Sequence, residues 1–222
     1  MIVAIDGPAG SGKSTVARML AKRLGFGVLP SGATYRALAW AALQRDVSPD
    51  DPEALTRLAD EVTIDIDGRP EAVRVSVDGE DVTAATGTPE VANAASRLSR
   101  HPPVRDRLVA LQRSMAERMG DVVAEGRDMT TVVFADAPVK VYLDAALAER
   151  ARRRRAELAA QCRGAHLAVS AVEADLAARD RQDTTRAAAP LTCAPDAYYL
   201  DTTGLSVGAV VDRIVERVSR VT

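Results

Sequence analysis

Lysine, aromatic residues, histidine and cysteine are all scarce in this chain of 222 residues. Three of its 29 basic residues are lysines, Lys13, Lys22 and Lys140, and the rest are arginine, so a lysine here is a position to explain rather than background. Aromatics make up 3% of the chain, too few for the stacking platforms on which single-stranded nucleic acid is read. A net charge of −2 gives no general attraction to nucleic acid or to an anionic membrane. The two cysteines, Cys162 and Cys193, and the two histidines, His101 and His166, fall in no C-x-x-C or Cys/His ligand spacing. No segment approaches the roughly 18 unbroken apolar residues of a membrane span. No charged region followed by an apolar stretch precedes the first strand. The expectation is a soluble, cytoplasmic monomer with reduced thiols and with neither nucleic acid nor membrane as a partner.

What is present begins at residue 1. Met1-Ile-Val-Ala-Ile-Asp-Gly-Pro-Ala-Gly-Ser-Gly-Lys-Ser-Thr15 is an apolar strand running into G-x-x-x-x-G-K-[ST], filled by Gly7, Gly12, Lys13 and Ser14. Ile2 to Ile5 reads as a buried parallel strand and Ser14 to Leu24 as a helix, the context in which this motif holds a phosphate. Glycines let successive backbone N–H groups and the helix N-terminus face the anion. Lys13 is placed to neutralise β- and γ-phosphate oxygens, and the Ser14 hydroxyl to ligate Mg²⁺. Gly7, Pro8, Ala9, Gly10, Ser11, Gly12, Lys13, Ser14 and Thr15 are thus the candidate ATP-binding residues.

The hydrophobic content of 47% supports a well-filled core. Gly25 to Pro30 reads as a second core strand, and Ser31-Gly-Ala-Thr-Tyr-Arg36 as a loop at its carboxyl end, facing the phosphate loop across the crevice where open α/β sheets bind ligands. Helical spacing covers 34–45, and Asp50-Asp-Pro-Glu starts a helix reaching about Glu61. Residues 62–67, 72–77 and 80–83 alternate with period 2, with Asp67-Gly68 and Asp78-Gly79 as hairpin signals. Helices follow at 89–99 and 103–118, core strands at 122–125 and 139–143, and a fifth strand at 197–200. Residues 150–160 and 171–179 read as helical arms, and 181–190 loses that spacing. The fold class is α/β: a P-loop NTPase-type three-layer α/β/α arrangement with a five-stranded parallel sheet, an inserted small antiparallel β subdomain and a short helical lid. One domain, 1–222, divides into a core (1–61, 84–150, 187–222), the insert (62–83) and the lid (151–186).

Five motifs in this order, Gly7-Pro-Ala-Gly-Ser-Gly-Lys-Ser14, Ser31-Gly-Ala-Thr-Tyr-Arg36, Val91-Ala-Asn-Ala-Ala-Ser96, Gly126-Arg-Asp-Met129, and Arg179-Asp-Arg-Gln-Asp-Thr-Thr-Arg186 with Ala189-Pro-Leu191, carry a resemblance over almost the whole chain. The sequence resembles the bacterial cytidylate kinases, P-loop enzymes that phosphorylate CMP and dCMP with ATP. That resemblance implies that Ser96, Arg105 and Asp128 surround the base, that Ser31, Arg179 and Asp183 meet the ribose, and that Arg36, Arg127 and Arg186 hold the substrate phosphate. Cytosine offers an N4 amino donor beside N3 and O2 acceptors, which a carboxylate and a guanidinium or hydroxyl can complement. Lys13, Arg127, Arg186 and Arg153 are the expected catalytic set. Closure of the lid and insert on binding is also expected, with residues 179–186 far from Lys13 when the enzyme is open.

Some readings stay paired. Ser96 also fits a residue that caps or lines a helix, and Arg105 sits in an arginine-rich chain. Arg150 and Arg152 to Arg155 fit either ATP-reaching arginines, Arg153 foremost, or a solvated helix face. Glu125 fits either a water-mediated Mg²⁺ contact or an ion pair with a nearby arginine. His101 and His166 are read as bystanders. Three positions depart from the usual family pattern: Pro30 replaces aspartate, Thr130 glycine and Ala135 proline. The rival readings are another small-substrate P-loop kinase, acting on shikimate, dephospho-coenzyme A or thymidylate, and a nucleotide-binding module without turnover. A regulatory GTPase is excluded, because no lysine follows an asparagine.

Overall fold

The computed structural model describes residues 1–160 and 168–221. At its centre a parallel sheet has the strand order β2-β6-β1-β7-β8, from β1 (Ile2–Asp6), β2 (Gly27–Pro30), β6 (Val122–Glu125), β7 (Val139–Asp144) and β8 (Tyr198–Asp201). Residues such as Val3, Ala4, Ile5, Val123 and Val141 are fully buried, as a parallel sheet covered on both faces requires. One face packs on α1 (Lys13–Leu24) and α8 (Val207–Val218), through Val16, Leu20, Val210 and Ile214. The other carries α2 (Ser31–Gln44), α3 (Pro52–Glu61), α4 (Pro89–Leu98) and α5 (Pro102–Met119). This is the expected three-layer architecture.

The insert is a three-stranded antiparallel sheet, β3 (Ile64–Asp67), β4 (Arg74–Val77) and β5 (Glu80–Asp81). Its inward residues Ile64, Ile66, Val75 and Val77 join the same apolar cluster as α2. The Asp78-Gly79 turn is as expected, with positive φ at both residues (51° and 84°), the geometry of a type I′ hairpin. Asp67-Gly68 is not a tight turn. The chain instead continues through a longer loop, because the Gly68 carbonyl accepts from Val28 N at 2.8 Å and so covers the outer edge of β2.

The two helical arms expected of a lid are α6 (Leu147–Ala160) and α7 (Val169–Thr185). Ala151, Val172 and Leu176 form a small cluster with Ala9 of the loop after β1, so the two arms pack directly on that loop. The expected loss of helix after Arg181 does not occur before Thr185: the Thr184 and Thr185 hydroxyls bond back to the Asp180 and Arg181 carbonyls, and α7 stops only ahead of Pro190. Residues 31–36 are likewise not a loop. They form the first turns of α2, started by Pro30, whose φ of −80° suits a helix entry. Cys162 and His166 lie outside the described residues. Among the described residues no helix is long and apolar enough to cross a membrane.

Candidate active site

The carboxyl ends of β1, β2 and β6 lie level, with both Ile5 and Pro30 in register with Glu125. The phosphate loop leaves β1 at that edge. Gly7 is required there: a Cβ on it would lie 2.0 Å from the Leu143 carbonyl oxygen. Lys13 opens α1 but is buried, its Nζ donating to the Pro8 carbonyl at 2.7 Å and to Ser11 Oγ at 3.4 Å. Burial, reinforced by the positive charge of Arg127, lowers its pKa to about 7 against the opposing pull of Glu125, Asp6 and Asp183. Ser14 Oγ donates to Glu125 Oε1 at 2.7 Å. Of the two readings of Glu125, its direct partner is therefore the candidate metal ligand rather than an arginine.

Two arginines of α6 brace this loop. Arg150 Nη1 donates to the Ala9 carbonyl at 3.0 Å and to Asp180 Oδ2 at 2.5 Å, and Asp180 Oδ1 accepts from Ala9 N at 3.2 Å. Arg153 is held by Glu149 (2.8 Å), reaches the Ser11 carbonyl at 3.4 Å, and donates to Thr202 Oγ1 and O at 2.9 and 2.7 Å. It thus ties the phosphate loop to the loop after β8. Arg152 and Arg154 pair with Glu149 and Glu157 on the helix surface, and Arg155 is exposed. All three lie on the solvent side of α6, at least in part.

Beside Lys13 the chain gathers arginines. Arg127 Nε donates to Asp183 Oδ2 at 2.8 Å. Burial works against the charge of Arg127, but Asp183, Glu125 and Asp180 outweigh it and raise its pKa. Arg36 makes no ion pair or side-chain hydrogen bond with any described residue, and burial lowers its pKa despite the nearby Glu125. Arg186 donates through Nε to the Ala189 carbonyl at 2.7 Å, while its Nη2 is buried with no partner among the described residues. Burial and the neighbouring Arg105 lower its pKa. Ser31 is buried beside this group: a Cβ on Gly126 would fall 2.3 Å from Ser31 Oγ, so the glycine before Arg127 makes room for the hydroxyl.

Beyond it, Arg105 and Asp128 form a buried ion pair through Arg105 Nη2 and Asp128 Oδ2. The Arg105 guanidinium stands 5.5 Å from the Tyr35 ring centroid and donates to the Ser99 carbonyl at 3.2 Å. Ser99 Oγ in turn donates to the Ser96 carbonyl, and Gln182 of α7 donates to Ser96 Oγ at 2.7 Å. The turn carrying Asp128 is anchored by Asp6, whose carboxylate accepts from Met129 N (2.9 Å), Thr130 N (2.7 Å) and Thr130 Oγ1 (2.7 Å). Burial pushes the Asp6 carboxyl above its ordinary pKa, against the pull of the Thr130 and Met129 hydrogen bonds. Thr130 thus fills its unusual position with a third hydrogen bond to a buried carboxylate. Nothing in the structure explains Ala135, which sits in an exposed turn.

In this structure α7 lies over these residues, with Asp180 on the loop after β1, Gln182 on α4 and Asp183 on Arg127. Arg179 alone stays out. It is exposed and pairs with Asp175 one turn earlier at 3.2 Å, as long helical side chains lean toward the helix N-terminus. Asp6, Tyr35, Asp180 and Gln182 were not singled out from sequence. Asp6, a carboxylate ending an apolar strand, was the one with a readable signal.

The family model described as cytidylate kinase matches residues 3–220. A cytidylate kinase of Pelotomaculum thermopropionicum is 50% identical over 218 residues, covering 98% of this chain and 95% of the relative. One from a Geobacillus species is 46% identical over 217 residues, covering 98% and 96%. An uncharacterized protein from Eubacterium ventriosum has a crystal structure that superposes with a TM-score of 0.54 at 11% identity, covering 99% of this chain and 98% of the other, a likeness of fold.

Proposed function

The chain belongs to the cytidylate kinase family, ATP-dependent nucleoside monophosphate kinases, and we propose that it transfers the γ-phosphoryl group of ATP to CMP or dCMP, giving ADP and CDP or dCDP, with the residues above dividing the work. The observation that carries the reading is unpaired charge at two partly buried arginines. Arg36 and Arg186 lack counter-ions among the described residues, and buried charge is costly unless paired. A phosphate monoester set among Arg36, Arg127 and Arg186 supplies the missing anion, with guanidinium forks suited to its oxygens.

On the donor side Lys13 and the loop N–H groups bind the ATP phosphates, with Arg150 and Asp180 bracing Ala9. The chemistry fits a divalent cation as well. Mg²⁺ keeps few protein ligands and relies on substrate phosphates, and Ser14 with Glu125 is such a pair. When bound, the ion neutralises charge on the phosphate oxygens. Phosphoryl transfer is mainly positioning and charge stabilisation, so no dedicated base is needed. The acceptor oxygen attacks the γ-phosphorus in line while Lys13, Arg127 and Arg186 hold the developing charge. Asp128 accepts the cytosine amino group, and Ser31 and Asp183 line the ribose side. Residues 151–186 act as the lid that keeps water out, and 62–83 as the acceptor-side insert. Incubation with γ-labelled ATP and CMP tests the reading: the label should appear in the β-phosphate of CDP, and label found only in inorganic phosphate contradicts it.

The lowered pKa of Lys13 gives a pH signature. In the free protein Lys13 loses its proton as pH rises through about 7, whereas bound phosphates favour the ammonium form. Nucleotide binding therefore takes up a proton above that pH. ATP affinity measured by calorimetry should fall as pH rises from 7 to 9, with buffer-dependent proton uptake, and Lys13→Arg should lose that dependence.

A further inference from the structure

We infer that Gln182, on the lid helix, is a specificity-determining positioning residue that sets the direction of the Ser96 hydroxyl and thereby helps separate cytosine from uracil. The inference rests on the reading above that Ser96 faces the base. Gln182 Nε2 lies 2.7 Å from Ser96 Oγ and 3.4 Å from the Ser96 carbonyl oxygen. A carbonyl can only accept, so the amide atom turned to Ser96 is the nitrogen, and it donates to both oxygens. The Ser96 oxygen is thus already an acceptor, and no described residue accepts the hydrogen of its hydroxyl. A hydroxyl that accepts one hydrogen bond is polarised to donate the next.

The rest of the network extends the pattern. Ser96 connects through Ser99 to Arg105, and Arg105 occupies Oδ2 of Asp128, leaving Oδ1 to accept. The pocket therefore offers a donor at Ser96 and an acceptor at Asp128. Cytosine presents ring acceptors at N3 and O2 and an amino donor at N4, matching both. At N3 and position 4 uracil instead presents N3–H and an O4 acceptor, opposing both; because its O2 accepts just as cytosine's does, the separation rests on Ser96 meeting N3. Gln182 supplies this bias only when α7 lies over the site, one residue from Asp183 on Arg127 and two from Asp180 on the phosphate loop. Recognition of the base and closure of the lid thus share one hydrogen bond.

The test is the ratio of kcat/KM for CMP to that for UMP in the wild type, Gln182→Met, Gln182→Glu, Ser96→Ala and the Gln182→Met/Ser96→Ala pair. Gln182→Met keeps the length of the side chain and should lower the ratio about tenfold, as expected for one hydrogen bond, through the KM for the monophosphate and not that for ATP. Gln182→Glu reverses the polarity, accepting from Ser96 and turning the hydroxyl's lone pairs to the base, so its ratio should fall further. In the Ser96→Ala background Gln182→Met should add nothing. A Gln182→Met ratio within twofold of wild type, or an undiminished effect without the Ser96 hydroxyl, overturns the inference while leaving the base-pocket reading intact. A Ser96→Ala variant with an unchanged ratio overturns that reading, and the inference with it.

Discussion

Lys13→Ala is expected to lower kcat by roughly 10³-fold or more, the scale of removing a principal charge donor from a preorganised site. Arg36 and Arg186 are assigned to the acceptor phosphate, and the other nearby cations are engaged elsewhere. Arg127 is held by Asp183, Arg153 by Glu149 and Thr202, and Arg150 by Ala9 and Asp180. Lys22 lies on the outer face of α1 and Lys140 pairs with Asp196, so neither of the other lysines reaches the site. The fold should not suffer, because burial already works against the charge of Lys13 and alanine removes that conflict. The melting temperature should therefore be no lower than wild type. Initial rates at saturating ATP and CMP, with a thermal melt on the same sample, check both parts; a rate within tenfold of wild type contradicts the assignment.

Asp128→Ala should act on both stability and choice of substrate. It leaves Arg105 buried without its counter-ion, a loss of about 3–5 kcal/mol and a fall in melting temperature of roughly 10 °C in a chain of this size. It also removes the acceptor for the cytosine amino group, so kcat/KM for CMP should drop about 10²-fold, as for a charge-assisted hydrogen bond, while the KM for ATP stays within about threefold. Asp128→Asn preserves shape and reverses part of the polarity, so it should lose CMP turnover while improving relative use of UMP. Rates for the two monophosphates at fixed ATP, with the ATP KM measured separately, decide it. Equal loss of ATP and CMP affinity contradicts the division between Lys13 and Asp128.

The donor half of the site was legible because its chemistry is local. Gly7 to Ser14 are contiguous, and the strand before them and the helix after them follow from apolar spacing alone. The acceptor half is assembled across the fold, from α2, α4, α5, the turn after β6 and α7, and only the resemblance brought those residues to one place. Where expectation and structure part, local physics explains it. Ser31-Gly32 reads as a loop by composition, yet Pro30 starts a helix there, and a Cβ on Gly32 would lie 3.0 Å from the guanidinium of Arg36. Arg179 stands four residues before Asp183, on the same side of α7, but its side chain turns back to Asp175. Gln182 was invisible for a different reason: its role depends on Ser96, 86 positions away in the chain. Pro30 illustrates the limit from the other side. It stands in register with Glu125 at the mouth of the site, carries no carboxylate, and leaves Arg36 without a nearby partner on β2, a consequence visible only once the strands are aligned.

The most direct test of the account is ADP release in a coupled assay with ATP, Mg²⁺ and, in turn, CMP, dCMP, UMP, AMP, GMP, dTMP and shikimate at neutral pH. The account predicts strong turnover with CMP and dCMP and far weaker turnover with every other acceptor. Preferred turnover of a purine nucleotide, dTMP or shikimate would contradict the reading of Ser96, Arg105 and Asp128 as a cytosine pocket, and no turnover with any acceptor would contradict the kinase itself.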